Sequence, residues 1–450
     1  MGTALGIHID AASEHVVAHG RGCMKPAGTV FNPPPALHPK EHVPSRITNS
    51  ALLLGALAFA LTACSTEPEA VPPTDEPTGQ GHGAVANAAE LAEPQLGLTS
   101  IDPTGAVSHL DLLDDSVTAI GTVRAPKAMH TDGRYLFAQT DAGVEIVDSG
   151  VWTWDHVDHF HYYKAEPKLI GTVDGVGVGT VATSNLSTSG GTGIFFPDSG
   201  EAVLLDTEAL SKGTVVEKFR MNSAPGAGMV VPVGSFALVT DGTGPSASVL
   251  GYTADGQHTG LAESCADSRG TITTRVGAVI GCADGALLAS ATGDELVVEK
   301  IPYPAGTSAR AATSFDNREG RPTVAGLAGT DGIWMLDTRE KSWALLPAPA
   351  PLLHVSAVDD ADEHVLALAA DGRVFVLDGT DGSVIAETEP LVAQSVAAGK
   401  APTLVADQQR AYLSGPSEQK LFEIDYADGA RVARTFDTPT EPMFTAETGR

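Results

Sequence analysis

The chain has 450 residues, more than most single compact domains contain, although propellers and solenoids reach this length as one unit. Hydrophobic residues make up 42% and charged residues 18%, which supplies a large core and excludes wholesale disorder. Asp and Glu number 56 against 27 Lys and Arg, so the formal net charge is −29. Such a surface repels phosphate backbones, which argues against nucleic acid as a partner, and it favours cations.

Residues 51–63 form an uncharged apolar run, ALLLGALAFALTA, which has the length of the apolar core of an export signal and is too short to span a bilayer as a helix. The run ends in Ala63-Cys64. This ending resembles the bacterial lipobox, whose Cys receives lipid. We therefore predict a lipoprotein signal peptide at residues 43–63 and a lipid anchor at Cys64, on the outer face of the cell membrane. An ordinary cleavage site with an incidental Cys is the alternative.

The segments on either side of this signal differ from it in composition. Residues 1–42 are rich in Pro and His and do not fit the short start of an export signal, so we predict a misannotated extension, with translation beginning near Val43. Residues 64–91 lack aromatic residues and are rich in Pro, Glu and Gly, which predicts a disordered acidic tether. The globular domain is expected to comprise residues 92–450.

A short pattern of alternating apolar residues that ends in Asp recurs along this domain. Clear copies end at positions 114, 148, 206, 337, 378 and 425, and degenerate copies lie near Val249 and Leu287. Period-2 alternation predicts a strand in each copy, and no convincing helix is longer than two turns. The copies recur about every 44 residues, the period of a propeller blade built from four short strands.

These repeats predict an all-β fold, a β-propeller of eight blades, with seven blades as the alternative if one degenerate copy is a loop. The first unit has patterns for only three strands, whereas Pro442–Thr445 remains after four strands of the last unit. A C-terminal strand that joins the first unit would remove a free sheet edge. We therefore expect the C-terminal strand to close the ring.

Cys265 and Cys282 lie 17 residues apart and flank a segment whose pattern predicts two strands joined by a turn. In an exported protein the default for such a pair is a disulfide, and closing a loop of this length contributes roughly 3 kcal/mol. A metal–thiolate pair is the alternative. Because no His lies between the two Cys, we predict the disulfide.

The segment at residues 152–163, WTWDHVDHFHYY, is unlike the rest of the chain because it holds three His within six residues. It lies in the 58-residue interval between positions 148 and 206, which exceeds the mean period. We therefore predict that part of it is an insertion. Insertions in propellers project from a face and build binding sites.

Neutral imidazoles beside a carboxylate suit tetrahedral Zn(II). We predict that zinc is bound by His156, His159, His161 and Asp158, with Asp155 as a weaker candidate, either as a ligand or as a partner that orients an imidazole. An extended chain places His159 and His161 on one side and His156 with Asp158 on the other, whereas a turn brings the three His together. A surface loop that carries His by chance is the alternative.

Two further His are weaker metal candidates. His130 and His354 lie in or just before predicted innermost strands, and therefore near the central channel. No nucleophile elbow, zinc-protease helix or phosphate loop stands in a suitable context, so we expect that the protein is not an enzyme. A metal-dependent hydrolase of lactonase type would need several carboxylates around one axis.

Three segments resemble the AztD family of exported zinc metallochaperones, which are encoded with zinc ABC transporters. They are residues 155–168, DHVDHFHYYKAEPK, residues 193–206, GIFFPDSGEAVLLD, and residues 423–437 together with the chain end at 447–450. The His-rich segment is the most specific part. The resemblance implies a β-propeller that binds zinc and hands it to the transporter's solute-binding protein.

The chain also departs from this family at two positions. The family carries a His before its VVP strand and another after the first disulfide Cys, where this chain has Ala227 and Ser268. If those His are ligands, this chain holds fewer ions or binds them more weakly. We predict a monomeric, extracytoplasmic zinc metallochaperone. The alternatives are a metal-free binding module at the cell surface and a lactonase-type hydrolase.

Overall fold

The structure is a computed structural model that describes residues 83–155, 159–330 and 332–449. The predicted extension, the signal peptide, the lipidated Cys64 and most of the tether lie outside these residues, as do His156 and Asp158. Within the described ranges, no helix has the length and apolar character needed to cross a membrane.

Strands make up nearly all of the regular structure in the described part of the chain. The strands of its first half are β1 (Ala89–Leu91), β2 (Gly97–Ile101), β3 (Ala106–Asp111), β4 (Val117–Thr122), β5 (Ala128–Thr131), β6 (Tyr135–Thr140), β7 (Gly143–Asp148), β8 (Val151–Asp155), β9 (Phe160–Lys164), β10 (Lys168–Asp174), β11 (Thr180–Thr183), β12 (Gly191–Phe196), β13 (Glu201–Asp206), β14 (Glu217–Asn222), β15 (Val230–Val233), β16 (Phe236–Asp241), β17 (Ser248–Thr253) and β18 (His258–Ser264).

The second half continues with β19 (Thr271–Thr273), β20 (Ala278–Cys282), β21 (Gly285–Thr292), β22 (Glu295–Pro302), β23 (Thr323–Leu327), β24 (Gly332–Asp337), β25 (Ser342–Pro347), β26 (Leu352–Ala357), β27 (His364–Ala369), β28 (Val374–Asp378), β29 (Val384–Glu387), β30 (Leu404–Ala406), β31 (Ala411–Gly415), β32 (Lys420–Asp425), β33 (Arg431–Asp437) and β34 (Phe444–Thr448). The helices are short: α1 (Thr207–Ser211), α2 (Ala393–Ala397) and a 3-10 turn (Gly244–Ser246).

The described strands form antiparallel sheets, seven of four strands and two of three. The four-stranded sheets have the orders β5-β6-β7-β10, β11-β12-β13-β14, β15-β16-β17-β18, β19-β20-β21-β22, β26-β27-β28-β29, β30-β31-β32-β33 and β34-β2-β3-β4. The three-stranded sheets are β23-β24-β25 and β1-β9-β8. The prediction of an all-β fold is confirmed, and a series of small four-stranded antiparallel sheets is the arrangement found in β-propellers.

In the four-stranded sheets the recurring sequence motif marks the third strand. It gives β7, β13, β28 and β32, and the degenerate copies fall in β17 and β21. The copy that ends at Asp337 gives β24, the middle strand of a three-stranded sheet. The first copy is displaced, since β3 ends at Asp111 and not at Asp114. The Asp111 carboxylate accepts the backbone N–H of Leu113 at 2.9 Å, a local bond that favours a turn over a continued strand.

The hydrophobic core lies between neighbouring sheets. One buried cluster joins Phe137 and Ile146 of β6 and β7 to Ile194 and Val203 of β12 and β13. Clusters of the same kind join β27 and β28 to β31 and β32. Each such side chain contributes about 1.5–3 kcal/mol by leaving water, so burial between neighbouring sheets stabilises the domain.

The two ends of the domain share one sheet. Strand β34 pairs with β2 from Gly97 opposite Thr448 to Ile101 opposite Phe444. The hydroxyls of Thr99 and Thr448 lie 3.0 Å apart across this pair. A C-terminal strand therefore lies beside the first strands, as the spare segment at the end of the sequence predicts.

Cys265 and Cys282 form the predicted disulfide. Both are buried, and the bridge joins the chain after β18 to the end of β20. The intervening segment contains β19 and β20 joined by a turn, as predicted. The bridge therefore fixes one sheet against the strand that precedes it in the chain.

Candidate metal site

The His-rich segment belongs to a hairpin that is inserted into a sheet. Strands β7 and β10 are neighbours in one sheet, yet β8 and β9 lie between them in the sequence and pair with each other. The register runs from Val151 opposite Lys164 to Asp155 opposite Phe160. Strands β8 and β9 therefore form an inserted hairpin, and His159 lies at its tip, directly before β9.

Gly150 stands where the hairpin leaves the sheet. Its φ of +80° lies in the left-handed region, and a Cβ there would come within 2.4 Å of the carbonyl oxygen of Ala165. Glycine is needed because the outgoing and returning chains cross closely at this point.

The base of the hairpin is anchored in the body of the domain. Trp152 and Tyr163 are buried opposite each other, with ring centroids 5.3 Å apart. The guanidinium of Arg134 lies 3.7 Å from the centre of the Trp152 ring. Arg134 also donates two hydrogen bonds to Asp148, at 3.0 and 2.8 Å, in a pair that is almost fully buried. A planar bidentate pair stacked on an aromatic ring holds this base in one orientation.

The chain that enters the domain runs along the same hairpin. Strand β1 pairs with β9 from Ala89 opposite Lys164 to Leu91 opposite Tyr162. Further upstream, the indole N–H of Trp152 donates to the carbonyl oxygen of Gly83 at 3.1 Å. The last residues of the segment predicted as tether, Ala89–Leu91, therefore form a strand.

The structure brings His159 and His161 together. Their Nε2 atoms lie 2.9 Å apart, and His161 Nδ1 lies 2.7 Å from Oε1 of Glu90. A carboxylate only accepts hydrogen bonds, so the Nδ1 of His161 is the donor. In a neutral His161 ring the Nε2 then carries a lone pair, which accepts the proton of His159 Nε2.

Two Nε2 atoms that face each other in this way fit a metal ion. Zn–N distances of about 2.0–2.1 Å in a tetrahedron place two ligand nitrogens about 3.3 Å apart. The observed 2.9 Å is a hydrogen-bond distance, so binding of one ion by both atoms would need a small opening of the pair and the His159 tautomer that carries its proton on Nδ1. Within the described residues no group of three His, Cys, Asp or Glu converges to hold a metal.

The remaining predicted ligands occupy different positions. His156 and Asp158 lie outside the described residues. Asp155 ends β8 directly opposite Phe160, beside the tip that carries His159. The structure thus places Asp155, a weaker candidate, beside the tip, and it leaves the prediction of His156 and Asp158 as ligands untested.

His130 and His354 line a separate cavity of about 340 Å³. His130 lies on β5 and His354 on β26, and residues of β11, β19, β30, β34 and the loop residues 315–320 also line the cavity. His354 Nε2 lies 2.8 Å from Oδ2 of Asp316, and His130 Nε2 lies 3.2 Å from the hydroxyl of Thr183. None of the described hairpin residues lines this cavity, so the structure does not join these His to the hairpin pair.

The cavity wall also carries carboxylates, namely Asp132, Asp316, Glu319 and Glu447. Burial lowers the pKa of His130 to about 4 and raises the pKa of Asp132 to about 6. His130 is therefore neutral near pH 7. Ala227 and Ser268, which stand where the family resemblance implies His, are not among the residues that line this cavity.

No family model and no curated protein sequence matches the chain. Among solved structures, apo AztD from Citrobacter koseri superposes with a TM-score of 0.68 at 19% identity, covering 79% of this chain and 98% of that one. A second structure of Citrobacter koseri AztD gives 0.69 at 19% identity, covering 80% and 99%. This chain has the AztD fold.

A third structure shares the architecture more distantly. The dihydro-heme d1 dehydrogenase NirN in complex with DHE superposes with a TM-score of 0.50 at 15% identity, covering 80% of this chain and 76% of that one. At these identities the likeness concerns the fold. The AztD structures match over nearly their whole length, so they share more of this fold than the NirN structure does.

Glu90 is the residue of the site that sequence reasoning missed. It lies inside the segment assigned to the tether because of its composition. A three-residue strand has too few positions to show an alternating pattern, and β1 gains its hydrogen bonds from β9, about 70 residues away in the sequence. Only the pairing in three dimensions shows that this carboxylate belongs with the His pair.

Proposed function

We propose that the protein is an extracytoplasmic metallochaperone that binds Zn(II) at the tip of the β8–β9 hairpin and delivers it to the solute-binding protein of a zinc ABC transporter. The observation that supports this most directly is the 2.9 Å contact between His159 and His161 Nε2. The AztD fold and the family resemblance of residues 155–168 support the same role.

In this proposal the side chains act as follows. His159 and His161 supply two Nε2 donors, and His156 and Asp158 supply the rest of a tetrahedral set. For both Nε2 atoms to bind one ion, the single ring proton of neutral His159 would have to move from Nε2 to Nδ1 by exchange with solvent, which frees the Nε2 lone pair. The arrangement of a carboxylate behind an imidazole, here Glu90 behind His161, is common at zinc sites.

The position of the site suits transfer. The tip belongs to a hairpin, and Phe160 within it is 55% exposed. An acceptor can therefore approach the ion and exchange ligands one by one. The acidic surface is expected to attract both the ion and a basic patch on an acceptor.

We further propose that the protein is a closed β-propeller, anchored by lipid outside the cell membrane. The ring has eight blades, with seven as the alternative, and β34 closes it by pairing with β2. Cys64 anchors the chain by lipid to the outer face of the membrane, and the protein works as a monomer and not as an enzyme. Supporting this architecture, edge strands of several sheets line a single cavity.

A competition titration with a zinc chelator tests the proposal. The wild type is expected to bind zinc tightly, and His159→Ala/His161→Ala to bind at least roughly 100-fold more weakly because two donors are lost. His258→Ala, an exposed His on β18, is the matched control and is expected to leave the affinity unchanged. Micromolar wild-type binding that is the same in the double variant would exclude a chaperone.

Transfer is measured separately by mixing the zinc-loaded protein with the apo solute-binding protein in the presence of the chelator. Transfer faster than release of zinc to the chelator alone is expected. Turnover of a panel of lactones and esters by the zinc-loaded form would instead favour the hydrolase.

A further inference from the structure

Glu90 connects the N-terminal segment to the His pair. Its Oε1 accepts the hydrogen bond from His161 Nδ1 at 2.7 Å. We propose that Glu90 is a positioning residue of the zinc site, and that residues 83–91, which carry it, form a docked strap whose attachment and zinc binding strengthen each other. This inference rests on the proposed binding of zinc by His159 and His161.

The chemical basis is the choice of imidazole tautomer. A neutral imidazole carries its proton on one of two nitrogens, and only the other nitrogen has a lone pair for a metal. Glu90 accepts from Nδ1, which leaves the lone pair of His161 on Nε2, toward His159. Without this carboxylate, a fraction of His161 would carry its proton on Nε2 and would have to change tautomer before binding an ion.

The register of the sheet explains why Glu90 reaches this ring. Glu90 lies directly opposite Tyr163 across the β1–β9 pair. His161 lies two residues before Tyr163 in β9, and side chains two apart in a strand share one face. A diagonal cross-strand neighbour is within reach of a long side chain such as Glu.

A second contact attaches the strap. Trp152 donates from its indole nitrogen to the carbonyl oxygen of Gly83 at 3.1 Å. Gly83 has a φ of +79°, and a Cβ there would come within 2.7 Å of Trp154 side-chain atoms. The strap is thus held at Gly83, which contacts side chains of β8, and at β1, which pairs with β9.

Docking of so short a strand is expected to be weak on its own. Strand β1 has three residues, and short edge strands open readily. If docking raises zinc affinity by a given factor, zinc must favour docking by the same factor, since the coupling of two binding equilibria is reciprocal. Loading the site therefore fixes the segment that leads toward the N terminus.

The test compares Glu90→Ala and Glu90→Gln with Glu93→Gln, which changes an exposed carboxylate two residues beyond the strap. Glu90→Ala is expected to weaken zinc binding about 10–100-fold, as loss of a residue behind a zinc-binding His does. Glu90→Gln, which keeps a carbonyl oxygen as acceptor, is expected to recover part of the affinity. The Glu93→Gln variant is expected to behave as the wild type. Because the Glu90 side chain is 48% exposed, the variants are expected to fold.

A spectroscopic measurement on the zinc-free protein separates positioning from general destabilisation. Nitrogen-15 NMR at a pH of about 8, where free imidazole is neutral, reports the tautomer of each His. The wild type is expected to show His161 with its proton on Nδ1, and Glu90→Ala a mixture of both tautomers. Amide exchange of residues 83–91 is expected to slow on zinc addition in the wild type and not in Glu90→Ala.

The outcomes distinguish this inference from the function on which it rests. If the wild type binds zinc through His159 and His161, yet Glu90→Ala keeps the same affinity and tautomer, the positioning role is wrong and the proposed function stands. If the wild type binds no zinc at the hairpin, the proposed function fails, and with it the coupling of zinc to the strap.

Discussion

His130 and Asp132, at the residue scale, make opposite contributions to the pH dependence of stability. The pKa of His130 is lowered to about 4 by burial, so its contribution is present above the ordinary value of 6.5 and is lost as the pH falls toward 4. Burial raises the pKa of Asp132 to about 6, so its contribution is present below the ordinary value of 3.8 and is lost as the pH rises through 6. The two effects largely cancel between these values.

Single substitutions are expected to expose each effect. His130→Asn removes the group whose protonation in the unfolded chain lowers the stability below pH 6.5. On acidification the free energy of unfolding is therefore expected to fall by about 1–2 kcal/mol less than in the wild type. Asp132→Asn removes the group that stabilises the protein on acidification. In this variant the free energy of unfolding is expected to fall more than in the wild type, by a similar amount. Urea titrations at several pH values measure both. Parallel pH profiles in all three proteins would contradict the assignment.

The ion pair of Arg134 and Asp148 is the second residue-scale case. Both partners are buried, and breaking such a pair by removing one partner leaves an uncompensated charge. Asp148→Ala is therefore expected to lower the free energy of unfolding by about 3–5 kcal/mol. The exposed partner of Lys420, Asp437, supplies the control, since Asp437→Ala is expected to leave the unfolding midpoint unchanged. If both substitutions lower the free energy of unfolding equally, burial does not determine how much the loss of an ion-pair partner destabilises the protein.

At the scale of elements, the sequence predicted the repeating strands better than it predicted the site. Short apolar runs that end in Asp locate β7, β13 and β32, because nearly every residue of these strands is buried. Three His within six residues likewise identify the hairpin tip, because their spacing is visible in one short stretch of sequence. Glu90 could not be found in this way, because its role depends on a pairing between distant segments. The displaced end of β3 shows a second limit, since the Asp111 side chain starts a turn that the apolar pattern does not show.

The disulfide offers an element-scale prediction. Cys265→Ala/Cys282→Ala is expected to lower the free energy of unfolding by about 2–4 kcal/mol, because the unfolded chain regains the freedom of the closed loop. Zinc affinity is expected to be unchanged, since neither Cys belongs to the hairpin. Chemical denaturation and chelator competition on the same variant measure both quantities. A loss of zinc binding would instead favour a thiolate ligand.

At the scale of the whole molecule, the pairing of β34 with β2 joins the two ends of the domain. Ala446 is fully buried in this strand. Ala446→Asp is expected to destabilise the protein by at least about 3 kcal/mol and to speed amide exchange in β2, since an unpaired charge would enter the core. The same change at Ala427, in an exposed turn, is the matched control and is expected to be neutral. Comparable exchange in both variants would mean that the end strand does not hold the first sheet.

Anomalous scattering at the zinc absorption edge, from a crystal grown with one equivalent of zinc, tests whether His159 and His161 hold zinc at the hairpin tip. We expect a peak within about 2.1 Å of both Nε2 atoms. A peak confined to the cavity beside His354 and Asp316, with none at the hairpin, would contradict it.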